Sequence, residues 1–144
     1  IHAKGGPEIM KQLDIIRAEK GGCPAGQTVI TTGGRLAAKY VIHTVGPVYH
    51  GRGDEAALLA DCYRNSLKMA AAHNIASLAF PSISTGVYRY PIAMAAPVAI
   101  QTVLEELPKY QFSEIRFVLF SDKDFAVYKS TLASIMQELS HRSQ

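Results

Sequence analysis

The stretch from Ile75 to Pro91 constrains the fold of this chain more than any other. An apolar run, Ile75 to Phe80, is followed by a loop of Ser, Thr and Gly, and Pro91 then opens an amphipathic segment. This order predicts a strand, a loop and the start of a helix. Anions bind at such junctions, because the first N–H groups of a helix lack partners within it and the macrodipole adds partial positive charge. An ordinary strand-to-helix turn is the alternative.

The composition of the loop narrows the way in which it could hold an anion. Gly86 is expected to take a positive φ and to let a ligand approach the backbone, and Pro91 suits the first helical turn. The loop has neither the Gly-Lys-Ser/Thr ending of a P-loop nor the three spaced glycines of a dinucleotide-binding turn. A diphosphate bound here would therefore be held mainly by backbone N–H groups and hydroxyls.

The rest of the chain alternates between strand and helix patterns. Apolar runs predict strands at Thr28 to Thr32, Tyr40 to Val45, Ile75 to Phe80 and Ile115 to Phe120, the second and fourth buried on both faces. Helices are predicted from Pro7, Asp54 and Pro91 and after a cap at Ser121 to Asp124, with Gly51 to Gly53 as a flexible connector. The alternation predicts a three-layer α/β/α sandwich.

Helical spacing also predicts which side chains face the core. The first helix would present Met10, Leu13 and Ile16 on one face; the inward residues of the later helices would be Leu59, Cys62, Tyr63, Leu67, Ala70, Ile92, Ala96, Ala99, Val103, Leu107, Phe125, Tyr128, Leu132, Ile135 and Leu139.

Phe120 stands where a second part of a ligand could bind. Ligands of open α/β sheets sit beyond the carboxyl ends of the strands. The loop after Phe80 and the residues after Phe120 both follow strands, so they lie at one edge if those strands run parallel. Phe120 could then offer a flat apolar face to a base, or it could be one more aromatic residue of the core.

Size and composition bound the class of protein. The 144 residues, 48% apolar and 19% charged, predict one globular domain over residues 1–144. No apolar run approaches the roughly 20 residues that cross a bilayer, and no signal-like segment opens the chain, so a cytoplasmic or other reducing location is expected. Cys23 and Cys62 are expected to be free thiols.

Charge and histidine placement argue against two further classes of site. The net charge of +3 is compatible with an anionic small ligand but is too diffuse to predict a nucleic-acid groove. The five histidines, His2, His43, His50, His73 and His141, show no metal-ligand spacing. No metal site is predicted, and histidine catalysis is disfavoured.

At this point the residues resemble a known family. The segment from Ala79 to Tyr88 is similar to the phosphate-binding loop of macro domains, which are ADP-ribose-binding modules. Tyr40 to Pro47 resembles the family's preceding strand, and Ile1-His2 with Gly6-Pro7 resembles the end of its glycine-rich loop and the helix that follows. The resemblance covers essentially the whole chain and implies a mixed central sheet and no cofactor.

The resemblance is closest to the branch that hydrolyses ADP-ribose esters, in O-acetyl-ADP-ribose or on acidic protein side chains. By position, the diphosphate and proximal ribose would be wrapped by Ser84, Thr85, Gly86, Val87 and Tyr88. Phe120 would pack by the adenosine end, and Pro81, Ser82 and Ile83 complete the implied ligand-binding set. A non-catalytic ADP-ribose reader and, more remotely, an RNA- or poly(A)-binding module are the alternatives.

Two departures qualify the resemblance. Arg89 stands where the family often has glycine. The family's first strands, with an Asn-Ala-Ala-Asn motif, its adenine-binding aspartate and the aspartate of its glycine-rich loop have no counterpart in this sequence. Catalytic residues therefore cannot be assigned to any position, and we expect an N-terminally incomplete macro domain from a larger protein.

Overall fold

The computed structural model describes residues 2–142, with side chains from Ala3 onward. The elements are α1 (His2–Gly5), α2 (Pro7–Lys20), β1 (Thr28–Thr32), β2 (Tyr40–Thr44), α3 (Glu55–Ala72), β3 (Ser77–Phe80), α4 (Ile92–Glu106), a 3-10 turn (Leu107–Lys109), β4 (Glu114–Phe117) and α5 (Asp122–Arg142). The predicted α/β order is confirmed; α1 and the short 3-10 turn were not predicted. Ile1, which the resemblance assigns to a glycine-rich loop, lies outside the described residues.

The strands form one antiparallel and one parallel pair. β1 pairs with β2 from Thr28 opposite Thr44 to Thr32 opposite Tyr40. β3 runs parallel to β4, with Ser77 opposite Glu114 and Phe80 opposite Phe117. Both pairings of a mixed sheet are present, in two separate ladders within residues 2–142. The parallel pair brings the loop after β3 and the residues after β4 to the same edge.

The main core lies between α3, α4 and the β3–β4 pair. Tyr63 of α3 is fully buried, and its ring contacts Phe80 and Phe117 at centroid distances of 5.1 and 6.0 Å. The predicted inward residues of α3 and most of those of α4 are confirmed as buried, namely Leu59, Cys62, Tyr63, Leu67, Ala70, Ala96, Ala99 and Val103. Small side chains on α4 let this helix pack directly against α3.

The predicted core face of α5 is wrong at three positions. Tyr128 is buried and Ile135 packs against the core, but Phe125, Leu132 and Leu139 are 57%, 43% and 42% exposed. Phe125 and Leu132 line an apolar groove of about 450 Å³ beside β4 and α4. Periodicity identifies an apolar stripe, but it cannot show how much of that stripe a neighbouring element covers.

The strands predicted to be buried on both faces are half-exposed. β2 ends at Thr44, one residue early, and β3 and β4 begin at Ser77 and Glu114 and are shorter than predicted. No residue of β2 or β4 is fully buried, so neighbouring elements cover the faces of these strands only in part. Among residues 2–142 each strand has a ladder partner on one side only. In the same range, no helix combines the length and apolar character needed to span a membrane.

The close packing of α4 on α3 is testable at Ala99, which is fully buried. We expect Ala99→Leu to destabilise the fold by about 1–3 kcal/mol, because three added carbons have no space in a packed interface. Ala93→Leu, on the exposed face of the same helix, should change the free energy of unfolding by less than about 0.5 kcal/mol. Urea unfolding of both variants measures the difference, and equal losses would contradict this packing.

Candidate functional site

The loop from Pro81 to Tyr90, here the 81–90 loop, joins β3 to α4 at the edge defined by the parallel strands. Two hydrogen bonds within the loop fold it back on itself: the Tyr90 N–H donates to the Ser84 carbonyl at 2.9 Å, and the Arg89 N–H donates to the Gly86 carbonyl at 3.0 Å. The Pro91 carbonyl then accepts the N–H groups of Met94 and Ala95, which starts α4. The loop is therefore a compact turn set on a helix N-terminus.

The backbone of the loop differs from the prediction at Gly86. The positive φ angles belong to Ser84 (69°) and Arg89 (63°), and Gly86 is not among the residues with positive φ. A left-handed non-glycine residue costs roughly 1–2 kcal/mol, which the closing hydrogen bonds offset. A Cβ added at Gly86 would meet no protein atom within 4 Å, so neither packing nor backbone conformation requires glycine there.

Most of the N–H groups of the loop have no protein partner. The Ile83 N–H donates to the Tyr63 hydroxyl at 3.1 Å. The five consecutive N–H groups from Ser84 to Tyr88 donate no hydrogen bond within the described part of the chain. Backbone donors in folded proteins are nearly always paired with protein, water or ligand. A run of free N–H groups just before a helix N-terminus is an anion-binding arrangement.

Two buried tyrosines hold the base of the loop. The Tyr63 hydroxyl accepts from Ile83 and donates to the Pro81 carbonyl at 3.4 Å, and the Tyr128 hydroxyl lies 2.9 Å from the Ser82 hydroxyl. Burial raises the pKa of Tyr128 and raises that of Tyr63 well above its ordinary value, so both phenols stay neutral. Periodicity placed both residues in the core and gave no sign of this polar role.

A cleft of about 600 Å³ opens beside the loop at the ends of β3 and β4. Its lining comprises Pro81, Ser82, Thr85, Gly86, Val118, Leu119, Phe120 and Asp124. Phe120 is fully exposed and forms one wall, so the alternative of a core aromatic is wrong. The predicted cap is confirmed, since the Ser121 hydroxyl accepts the Asp124 N–H at 3.1 Å. The sequence did not predict Asp124 as a lining residue; it lies in the first turn of α5, four residues after Phe120.

Four residues of the predicted set lie outside the lining of the cleft. The side chain of Ile83 is buried, whereas those of Val87 and Tyr88 are exposed. The Ser84 hydroxyl is buried without a hydrogen-bond partner and packs on Gly46, where an added Cβ would collide with it. A ligand in the cleft would therefore contact Ser84 through its backbone N–H group and not through its hydroxyl.

A second segment supports the loop from outside. The Tyr49 N–H donates to the Tyr88 carbonyl at 2.9 Å, and the rings of Tyr49 and Tyr90 lie 5.0 Å apart. Tyr49 thereby contacts the loop on both sides of Arg89. The loop is held on its inner side by core tyrosines and on its outer side by Tyr49.

The remaining polar candidates lie elsewhere. His43 pairs with the Thr31 hydroxyl at 2.9 Å, and His73 with the Met69 carbonyl at 2.9 Å. Among residues 2–142 no three His, Cys, Asp or Glu side chains group as metal ligands would. Cys23 and Cys62 are confirmed as free thiols, and burial raises the pKa of both.

Comparisons with known proteins agree on one family. The sequence is 50% identical over 129 residues to a macro domain-containing protein of Caldanaerobacter subterraneus subsp. tengcongensis, an alignment covering 89% of this chain and 74% of that protein. It is 48% identical over 137 residues to the O-acetyl-ADP-ribose deacetylase of Klebsiella pneumoniae, covering 93% of this chain and 78% of the relative.

A solved structure confirms the fold class. The Oceanobacillus iheyensis macrodomain with ADP superposes with a TM-score of 0.91 at 39% identity, covering 96% of this chain and 75% of that one. The family's sequence profile, described as Macro domain, matches residues 1–99. The mixed α/β fold, the loop ahead of α4 and these similarities together show that the chain belongs to the macro domain family.

Proposed function

We propose that this chain is a single macro domain, residues 1–144, that binds ADP-ribose in the cleft beside the 81–90 loop. The observation that carries the proposal is the run of five unpaired N–H groups from Ser84 to Tyr88, next to the N-terminus of α4. Two linked phosphates supply acceptor oxygens spaced to meet several such donors. The relative solved with ADP and the relative named for O-acetyl-ADP-ribose support this ligand class.

The affinity expected from this arrangement is moderate. A charge-assisted hydrogen bond contributes roughly 1.5–3 kcal/mol. Three to five such bonds, less the cost of immobilising the ligand, give dissociation constants of about micromolar order. Among the residues that the structure describes, no lysine or arginine lines the cleft, so the N–H groups and the α4 macrodipole would supply most of the attraction.

The adenosine end would lie on Phe120. Its fully exposed ring lines the same cleft as Pro81 and Ser82 and is therefore available to a base joined to the diphosphate. Stacking of a base on an aromatic ring contributes roughly 1–3 kcal/mol. The same contact hides an apolar surface that is otherwise in water.

Ester hydrolysis is the finer part of the proposal. We propose that the intact protein removes acyl groups, or ADP-ribose from acidic side chains, with the phosphate of the substrate helping to hold the attacking water. The support is the 48% identity to a relative named O-acetyl-ADP-ribose deacetylase. The reader function is the second candidate for the 144 residues themselves, because the family's catalytic asparagine and aspartate find no counterpart in them.

Free thiols fit a reducing location such as the cytoplasm.

Calorimetry tests the binding proposal. Titration of the 144-residue chain with ADP-ribose should give a dissociation constant of about micromolar order, and AMP, which lacks the second phosphate, should bind at least about tenfold more weakly. Equal dissociation constants for ADP-ribose and AMP would contradict a diphosphate site. The nucleic-acid alternative would instead be favoured if the chain bound RNA, if that affinity fell steeply with increasing salt, and if ADP-ribose did not displace the RNA.

Gly86 gives a sharper test of where the ligand lies. We expect Gly86→Val to leave the unfolding free energy within about 0.5 kcal/mol of wild type, since an added Cβ meets no protein atom within 4 Å and residue 86 is exposed. It should weaken ADP-ribose binding by about 10- to 100-fold, because it displaces phosphate from one or two N–H groups. Val87→Ala is the matched control: this exposed side chain is trimmed while its N–H stays in place. Equal affinity of Gly86→Val and wild type would place the ligand elsewhere.

Turnover separates the enzyme from the reader. Release of acetate from O-acetyl-ADP-ribose should be measured for the 144-residue chain and for the intact protein, in parallel with calorimetry. We expect both to bind ADP-ribose and only the intact protein to release acetate above the uncatalysed rate. Binding without turnover by the intact protein would favour the reader function.

A further inference from the structure

Glu55, the first residue of α3, is a nearly buried carboxylate outside the proposed cleft. Its side chain is 4% exposed. Its Oε1 accepts the N–H groups of His50 and Arg52, and its Oε2 accepts that of Gly53, each at 2.9 Å. The segment 51–53, predicted to be a flexible connector, is thus tied to the start of α3 by two hydrogen bonds to one side chain, and the preceding residue, His50, supplies a third.

The charge of Glu55 is matched to this role. Hydrogen bonds from the backbone N–H groups of Arg52 and His50 lower its pKa to about 2. The carboxylate is therefore ionised at any neutral pH and can accept at both oxygens. Gly51 and Gly53 have φ angles of 72° and 95°, which turn the chain around the carboxylate and favour glycine at both positions.

The tied segment continues directly into the support of the 81–90 loop. Tyr49 precedes His50, and its N–H is the donor to the Tyr88 carbonyl. Its ring lies against Tyr90, and its hydroxyl is 3.7 Å from the Met94 sulfur on α4. The residue anchored to Glu55, His50, is therefore the chain neighbour of the residue that contacts the loop, Tyr49.

We infer that Glu55 is a positioning residue for the 81–90 loop: it fixes residues 50–53, and through Tyr49 it holds the outer side of the loop in the conformation that leaves the N–H groups of Ser84 to Tyr88 free. This inference rests on the proposed function for its effect on ligand affinity. Its effect on the unliganded loop does not depend on any ligand.

A matched control separates positioning from general stability. Glu106, at the end of α4, is a second buried carboxylate, 5% exposed, that pairs with Arg64 at 3.0 Å and Lys109 at 2.9 Å. None of its partners belongs to the loop or to the segment 49–53. Glu55→Gln and Glu106→Gln each remove one buried negative charge at nearly constant volume.

The experiment measures hydrogen exchange by NMR without ligand, together with ADP-ribose affinity by calorimetry, at a temperature where wild type and variants are folded. The reporting amides are those of Tyr49 and Tyr90, which donate hydrogen bonds at the two ends of the support. In Glu55→Gln we expect the affinity to fall about tenfold, as when one molecule in ten has the loop in its binding conformation, and both amides to lose nearly all of their protection from exchange. Glu106→Gln should lower the unfolding midpoint and change neither quantity.

Unchanged exchange and affinity in Glu55→Gln would overturn the inference, as would equal effects in Glu106→Gln. Should Glu55→Gln fail to fold, the variant Tyr49→Ala provides the test. It removes the ring contact with Tyr90 while Glu55 stays intact, so the inference requires faster exchange at Tyr90 and weaker binding. Wild-type exchange and affinity in Tyr49→Ala would refute the inference. If wild type itself does not bind ADP-ribose, the proposed function fails, whereas the exchange rates still decide whether Glu55 positions the loop.

Discussion

The hydrogen bond from the Ile83 N–H to the buried Tyr63 hydroxyl is the contact on which the site depends. The ring of Tyr63 packs against β3 and β4 through Phe80 and Phe117, so a single side chain of α3 joins the core to the start of the loop. A buried donor left without this partner would cost about 1–3 kcal/mol. The position of the loop is therefore set by core packing, and the cleft follows from it.

The polar groups of the loop therefore differ in their partners along the chain. Those of Pro81 to Ile83 form hydrogen bonds with Tyr63 and Tyr128, whereas the next five N–H groups have no protein acceptor among the described residues. Left-handed angles at Ser84 and Arg89 add backbone strain that an isolated peptide would relieve. Unpaired donors and strain persist together because the hydrogen bonds around them fix the conformation. Regions that sacrifice local stability in this way are commonly functional.

The sequence predicted those features of the site that depend on local order along the chain. Strand, loop and helix follow from composition between Ile75 and Pro91, and the position of Phe120 beside the loop needed only that two strands run parallel. Prediction from the sequence failed for properties that depend on the three-dimensional arrangement of the backbone rather than on the order of residue types. The positive φ was assigned to Gly86 by residue type, but turn geometry gives it to Ser84 and Arg89. The support from Glu55 joins residues through backbone groups, which leave no pattern in side-chain chemistry.

Different kinds of side chain hold the two sides of the loop, and this difference affects how a ligand would bind. The inner side is held by neutral phenols in an apolar core, and the outer side by an ionised carboxylate acting through a glycine-rich turn. Between these two supports, the N–H groups from Ser84 to Tyr88 have no protein acceptor in the described part of the chain. A ligand that meets those donors need not first break hydrogen bonds of the loop or order it, so little binding energy is lost to rearrangement. Preorganisation of this kind would let backbone N–H groups bind the proposed anionic ligand in a cleft whose lining, among the described residues, includes no lysine or arginine.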